Sequence, residues 1–149
     1  LELAYRLVNM YSLYGDTVLD PFAGTGTTSL ACIASGRNSI GVEIEPEFAL
    51  LMKQRAREFL PTAQSIVDKR ILSHLAFVVE RAKSGKMPKY VSVHHRFPVM
   101  TKQETGIWLL RPTVVEDGVA QETVISYEPL GRVTTDGQAF GDRYPGFVT

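Results

Sequence analysis

Val18-Leu19-Asp20-Pro21-Phe22-Ala23-Gly24-Thr25-Gly26-Thr27-Thr28 joins an apolar strand to a helix through a glycine turn. Val18 and Leu19 suit a buried strand, and Pro21, which has no amide hydrogen to donate, ends sheet pairing near Asp20. Gly24 and Gly26 let the backbone bend sharply and approach a ligand with no side chain between. From Thr28 onward, Leu30, Ala31, Ile33 and Ala34 recur at helical spacing, which aims the free amides of a helix N-terminus at the turn. Strand, turn and helix in this order are the first crossover of a doubly wound nucleotide-binding sheet.

The ligand class follows by elimination. A dinucleotide fingerprint requires Gly or Ala three positions after the second glycine, where this chain has Ser29. A triphosphate loop requires Gly-Lys-Ser or Gly-Lys-Thr, and no lysine precedes Lys53. An adenosine with little or no phosphate remains, a description that S-adenosyl-L-methionine meets. Residues 38–44 read as the next strand, with Ile40, Val42 and Ile44 apolar. Glu43 lies at its C-terminal edge, seventeen residues after Gly26, where an acid of this fold class accepts hydrogen bonds from ribose hydroxyls.

The same residues carry a family likeness. Gly15-Asp16, the string from Val18 to Thr28, and Gly41-Val42-Glu43-Ile44-Glu45 followed by Pro46-Glu47 closely resemble the cofactor half of amino-directed DNA methyltransferases, over roughly residues 1–57. These enzymes methylate the exocyclic N4 of cytosine or N6 of adenine. The resemblance implies an α/β fold with part of a Rossmann-like S-adenosylmethionine-dependent methyltransferase sheet. It places the methionine end of the cofactor on Asp20 and the turn from Gly24 to Thr28, and the ribose on Glu43. The candidate cofactor-binding residues are Asp20, Phe22, Ala23, Gly24, Thr25, Gly26, Thr27, Thr28, Glu43 and Ile44. The implied partner is double-stranded DNA with a flipped target base, within a restriction-modification system.

One departure from the family bears on catalysis. Its enzymes orient the target amine with Asp-Pro-Pro-Tyr or a close relative, and no Pro-Pro pair occurs in this chain. In the permuted, beta-like class that motif precedes the cofactor half. The expectation is therefore a fragment lacking an N-terminal catalytic part, inactive alone and completed by that part or by a partner subunit. Two other readings stay open: an RNA guanine-N2 methyltransferase, and a non-catalytic cofactor-binding or DNA-binding subunit. No catalytic residue and no metal ligand is named.

Composition sets the outer bounds. The chain has 149 residues, 44% of them hydrophobic, and one cysteine, which excludes an internal disulfide framework and fits a reducing cytoplasm. No apolar run reaches membrane-spanning length, so no membrane partner is expected. The formal net charge of zero hides an uneven distribution. Residues 68–102 carry eight basic against two acidic side chains, while both flanks are acidic. Such a middle follows a phosphate backbone or is simply a solvated face.

Along the chain the periodicity predicts a helix over residues 1–12 with Leu3, Leu7, Met10 and Tyr11 on one side, and a helix over residues 28–35. A further helix starts at Pro46, a favoured first position. It carries Phe48, Leu51, Met52 and Phe59 inward, holds Lys53, Arg55 and Arg57 in water, and stops at Leu60-Pro61. An amphipathic helix over 62–83 and a loop over 84–88 follow. Residues 90–93, 106–110, 114–115 and 123–127 favour strands, and Glu116-Asp117-Gly118 suits a hairpin turn, giving a β-hairpin-rich extension. The organisation expected is a cofactor-binding core at 1–60, an extension of the same domain at 61–130, and a poorly ordered tail at 131–149. Cys32 reads as a buried small hydrophobe, Trp108 as core packing, and His94 and His95 as facing opposite ways.

Overall fold

Strand β1 (Thr17–Asp20) runs parallel to β2 (Asn38–Gly41), pairing Thr17 with Asn38 through Asp20 with Gly41, and α2 (Thr27–Ser35) makes the crossover. These elements belong to a computed structural model that describes residues 1–86, 88–119 and 122–131. The described residues form two compact units: Leu1–Asp68 with Leu110–Glu128, and Lys69–Leu109 with the described residues from Pro129. This division differs from boundaries at 60 and 130, because the 110–128 segment returns to the first unit. The expected tail lies, apart from Gly131, outside the described residues. Among the described residues no helix is long and apolar enough to cross a membrane.

In the first unit, α1 (Glu2–Tyr11) and α2 are packed by small residues. Val8, Ala31 and Cys32 are buried together, with Ala4, Tyr5 and Val18 against them. Burial pushes the Cys32 thiol up to about 11 despite the opposing Arg37 guanidinium, so it stays protonated and inert at neutral pH. The residues at helical spacing on one side of α1, Leu3, Leu7, Met10 and Tyr11, are exposed. Ala4 and Val8 take the inner side because their short side chains let the helix axes approach.

The helix α3 (Pro46–Lys83) corrects the expected break at Leu60-Pro61, because it continues through Pro61. Proline inside a helix removes a hydrogen bond and costs about 3 kcal/mol. The offset is burial on both sides of it: Ala56, Phe59, Ala63, Val67, Ile71 and Val78 all lie inside, a stripe at helical spacing. Ala56, Phe59 and Ala63 pack with Leu30, Ile33 and Ala34. Phe48, expected inside, is exposed.

Strands β5 (Leu110–Asp117) and β6 (Thr123–Pro129) pair as a hairpin, closed by the Gly118 amide on the Glu122 carbonyl at 3.1 Å. Ile125 packs on the α2–α3 cluster, and the Tyr127 hydroxyl donates to the Ile33 carbonyl at 3.0 Å. Burial raises the pKa of that hydroxyl to about 12.

In the second unit, β3 (Tyr90–Val91) is antiparallel to β4 (Pro98–Val99). The strands expected over 90–93 and 106–110 are shorter or displaced. Residues Gln103–Gly106 form a 3-10 turn, and pairing resumes only at Leu110. The cause is His95, which is fully buried and claims the local backbone groups. Its Nε2 accepts from the Leu109 amide at 2.8 Å, so Nδ1 carries the proton and donates to the Leu130 carbonyl at 2.6 Å. His94 points the other way, into solvent, as expected. Trp108 is not core: Leu109 takes the buried place, and Trp108 remains 40% exposed.

Candidate functional site

The glycine turn sits where β1 stops, and each bend in it has an identifiable cause. Beyond Asp20 the chain turns away at Pro21, so β2 has no ladder partner after Gly41, and Glu43 lies two residues past the strand rather than inside it. Two backbone bonds still tie the edges together: Val42 N–H to the Asp20 carbonyl and Ala23 N–H to the Val42 carbonyl, each 2.9 Å. Asp20 Oδ1 accepts from the Phe22 amide at 3.1 Å, so this carboxylate closes the start of the turn. Gly41 marks a close approach, since a Cβ there would fall 2.9 Å from the Ala23 Cβ.

Gly24 and Gly26 are both left-handed, with φ of 52° and 79°. A Cβ on Gly24 would make only an ordinary contact, 4.0 Å from the Phe22 carbonyl oxygen, whereas a Cβ on Gly26 would fall 2.6 Å from Met52 Cγ. Gly26 is also the N-cap of α2 and offers no side-chain acceptor. The first amides of α2 at Thr27 and Thr28, both half-buried, therefore lack the usual cap and are open to an external acceptor.

Glu43 reaches across to the turn. Its Oε2 accepts from the Gly24 amide at 2.7 Å, while Oε1 accepts from the Ile44 amide at 2.8 Å and the Glu45 amide at 3.1 Å. The Glu45 bond foremost, then those from Gly24 and Ile44, hold its pKa below the ordinary 4.5 against partial desolvation. A carboxylate with a lowered folded-state pKa contributes its hold above the unfolded value and loses it as pH falls through the folded one. The latch from Glu43 to Gly24 should therefore persist at every pH above 4.5 and open in more acidic solution. The Gly24 amide proton shift followed by NMR from pH 7 downward checks this; a shift that moves near neutrality contradicts it.

Of the ten candidate residues, Ala23 and Gly26 are buried under the turn, and Thr25 lies exposed at its crest. Phe22 and Ile44 present apolar side chains that are 88% and 89% exposed. Arg55, expected in water, donates instead to the Thr25 carbonyl. Together with Met52 it braces the turn from α3. The signal was available, since residues 52, 55 and 59 share one helical face with buried Phe59. A separate concavity of about 550 Å³ lies between α1 and β1, lined by Leu7, Tyr11, Val18 and Thr28 among others. Only Thr28 links it to the candidate set, and Glu43 does not line it.

Comparison with known proteins places these features in a family. Residues 1–54 match the DNA methylase family of N6/N4 type. The type II methyltransferase M.MthZI of Methanothermobacter thermautotrophicus is 50% identical over 111 residues, which cover 74% of this chain and 30% of that protein. The type II methyltransferase M.MjaI of Methanocaldococcus jannaschii is 50% identical over 54 residues, 36% of this chain and 18% of its own. Among solved structures, TTHA0409 of Thermus thermophilus, a candidate DNA modification methylase complexed with S-adenosyl-L-methionine, is 55% identical with a TM-score of 0.39. That match covers 40% of this chain and 25% of the other. The chain thus spans less than a third of the length of these relatives. The matched residues 1–54, which contain the glycine turn and Glu43, are therefore similar to the DNA methylases of N6/N4 type.

Proposed function

We propose that these residues form the methyl-donor half of a DNA methyltransferase that modifies an exocyclic amine, N4 of cytosine or N6 of adenine, as part of a restriction-modification pair. The observation that carries this reading is the Glu43 carboxylate held at 2.7 Å from the Gly24 amide. It fixes an acceptor beside a turn whose Gly24 is uncrowded, an added Cβ meeting only the Phe22 carbonyl oxygen at 4.0 Å. The groups present suit S-adenosyl-L-methionine. Glu43 accepts from the ribose hydroxyls, exposed Phe22 and Ile44 cover the adenine faces, and Asp20, Ala23, Gly24, Thr25, Gly26, Thr27 and Thr28 hold the methionine end. The strand-turn-helix-strand unit is then part of a Rossmann-like sheet.

The cofactor, when bound, supplies an electrophilic methyl group. The chain's own contribution is positional: Glu43, Arg55 and Met52 fix the turn, and the turn fixes the donor, so that an in-line approach of the amine needs little further ordering. The base reaches such a site only when swung out of the duplex. These residues contain no Pro-Pro pair, and no residue of the chain is assigned to orienting the target amine.

Calorimetry with S-adenosylhomocysteine tests the reading. Glu43→Ala should bind roughly ten- to a hundredfold more weakly than the wild type, as expected for the loss of a charge-assisted acceptor. Equal affinities for the two proteins would remove Glu43 from the ribose site.

A further inference from the structure

The described residues adopt a left-handed backbone at Gly15, Gly24, Gly26, Gly36 and Gly85, and at only one non-glycine position, Arg96, with φ of 62°. Such a conformation strains any residue with a Cβ, and where a fold retains it the surroundings enforce it. Here they do. The Ser92 amide donates to the Phe97 carbonyl at 2.9 Å, the Arg96 amide to the Ser92 carbonyl at 3.1 Å, and the Val93 amide to the Thr105 carbonyl at 2.9 Å. Inside the turn, His95 is locked by the Leu109 amide and the Leu130 carbonyl, and its ring lies parallel to Phe97. The outcome is a rigid knuckle with His95 inside and Val93, His94 and Arg96 outside.

What the knuckle displays has a consistent chemistry. The Arg96 side chain makes no hydrogen bond or ion pair within the described residues, so its guanidinium is available. His94 stacks on Trp108 at 5.2 Å with 18° between the planes, and Trp108 is still 40% exposed. Residues 69–109 carry eight basic side chains against Glu80 and Glu104 alone, and Lys69, Lys86, Lys89, Arg96 and Lys102 are all exposed. Exposed cations carried in the same unit as a planar ring stack match a nucleic-acid strand, with phosphates for the charges and a base or sugar for the rings. An acidic protein surface would satisfy the cations and leave the ring stack unexplained. The segment is also shared with a methyltransferase, because a 111-residue match to M.MthZI in a chain of 149 takes in residues 69–109 wherever it starts.

We propose that the 93–96 knuckle and Trp108 form a DNA contact of the enzyme, with Arg96 on a phosphate and the His94–Trp108 stack against a neighbouring sugar or base. This rests on the reading of the chain as part of a DNA methyltransferase. Trp108 is the only tryptophan in the sequence, so its emission reports the site directly. Addition of a duplex of about 20 base pairs, long enough to span such a contact and carrying one mismatched pair that eases base extrusion, should quench it. Arg96→Gly removes the strain and the cation together. It should melt no lower than the wild type, yet bind that duplex roughly tenfold more weakly, with the salt slope of log K reduced by about one. Its affinity for S-adenosylhomocysteine should be unchanged. Undiminished duplex binding by Arg96→Gly, or Trp108 emission that stays constant at saturating duplex, overturns the proposal while the donor-site reading stands. Loss of S-adenosylhomocysteine binding by the wild type itself would instead overturn the donor-site reading.

Discussion

Gly26→Ala should destabilise the chain by about 2–5 kcal/mol and abolish most of its affinity for S-adenosylhomocysteine. Two separate costs add. The left-handed φ of 79° costs a residue with a Cβ about 1–2 kcal/mol. The new methyl group would also fall 2.6 Å from Met52 Cγ, and relieving such overpacking typically costs about 1–3 kcal/mol. Methionine is flexible, so the side chain can move, but moving it withdraws a brace from beneath the turn. A double-mutant cycle separates the costs: Met52→Ala in the Gly26→Ala background should restore the packing share and leave the backbone share. Thermal melts read both, with about 2–4 °C expected per kcal/mol for a chain of this size. Melting of Gly26→Ala at the wild-type temperature, or the absence of any coupling to Met52, would sink the assignment. Gly24→Ala makes the contrast. A Cβ there meets only the Phe22 carbonyl oxygen at 4.0 Å, so it should carry the backbone cost alone and obstruct the ligand's side of the turn.

The strand, turn, helix and second strand were legible because their signals are local. Pro21 stops a ladder by lacking an amide, and Gly24 and Gly26 permit a bend that other residues resist. Where the fold departs from the sequence pattern, the deciding contacts are distant in sequence. Leu60-Pro61 reads as a stop, yet the buried positions 56, 59, 63, 67 and 71 keep one helical period straight across it. Packing on α2 outweighs one missing hydrogen bond. In α1 the period identifies two candidate faces and cannot say which is inside; the short side chains of Ala4 and Val8 settle it through contact with Ala31 and Cys32. Arg55 illustrates the same limit, since a charged side chain on a helix reads as solvated until the Thr25 carbonyl comes within its reach. Glu43 was legible by position, whereas its engagement with three backbone amides was not, because those bonds exist only once the turn and β2 are side by side. An acid placed there has two jobs: it shapes the turn, and it remains an acceptor.

His95→Leu carries the other large expected effect, in the second unit. Leucine fills much of the imidazole volume but leaves the Leu109 amide and the Leu130 carbonyl without the ring nitrogens that satisfy them at 2.8 and 2.6 Å. Each buried backbone group stranded in this way costs about 1–3 kcal/mol, so a loss of about 2–6 kcal/mol is expected for the two, a drop in Tm on the order of 10 °C. The pH dependence distinguishes this cause from simple loss of packing. Burial foremost, with the neighbouring His94, holds the His95 pKa below the ordinary 6.5, and Nε2 must stay unprotonated to accept from Leu109. The stabilisation is therefore complete above pH 6.5 and is lost as the pH falls through the folded-state value. The leucine variant has no such group to protonate, so the gap in Tm between the two proteins should hold above pH 6.5 and narrow as the solution is made more acidic than that. A gap of equal size at both pH values would mean that the ring acts by filling space alone. The knuckle then makes a paired forecast of opposite sign: at position 95 a substitution removes the lock and lowers Tm, whereas at position 96 glycine relieves the strain that the lock imposes and leaves Tm as high or higher.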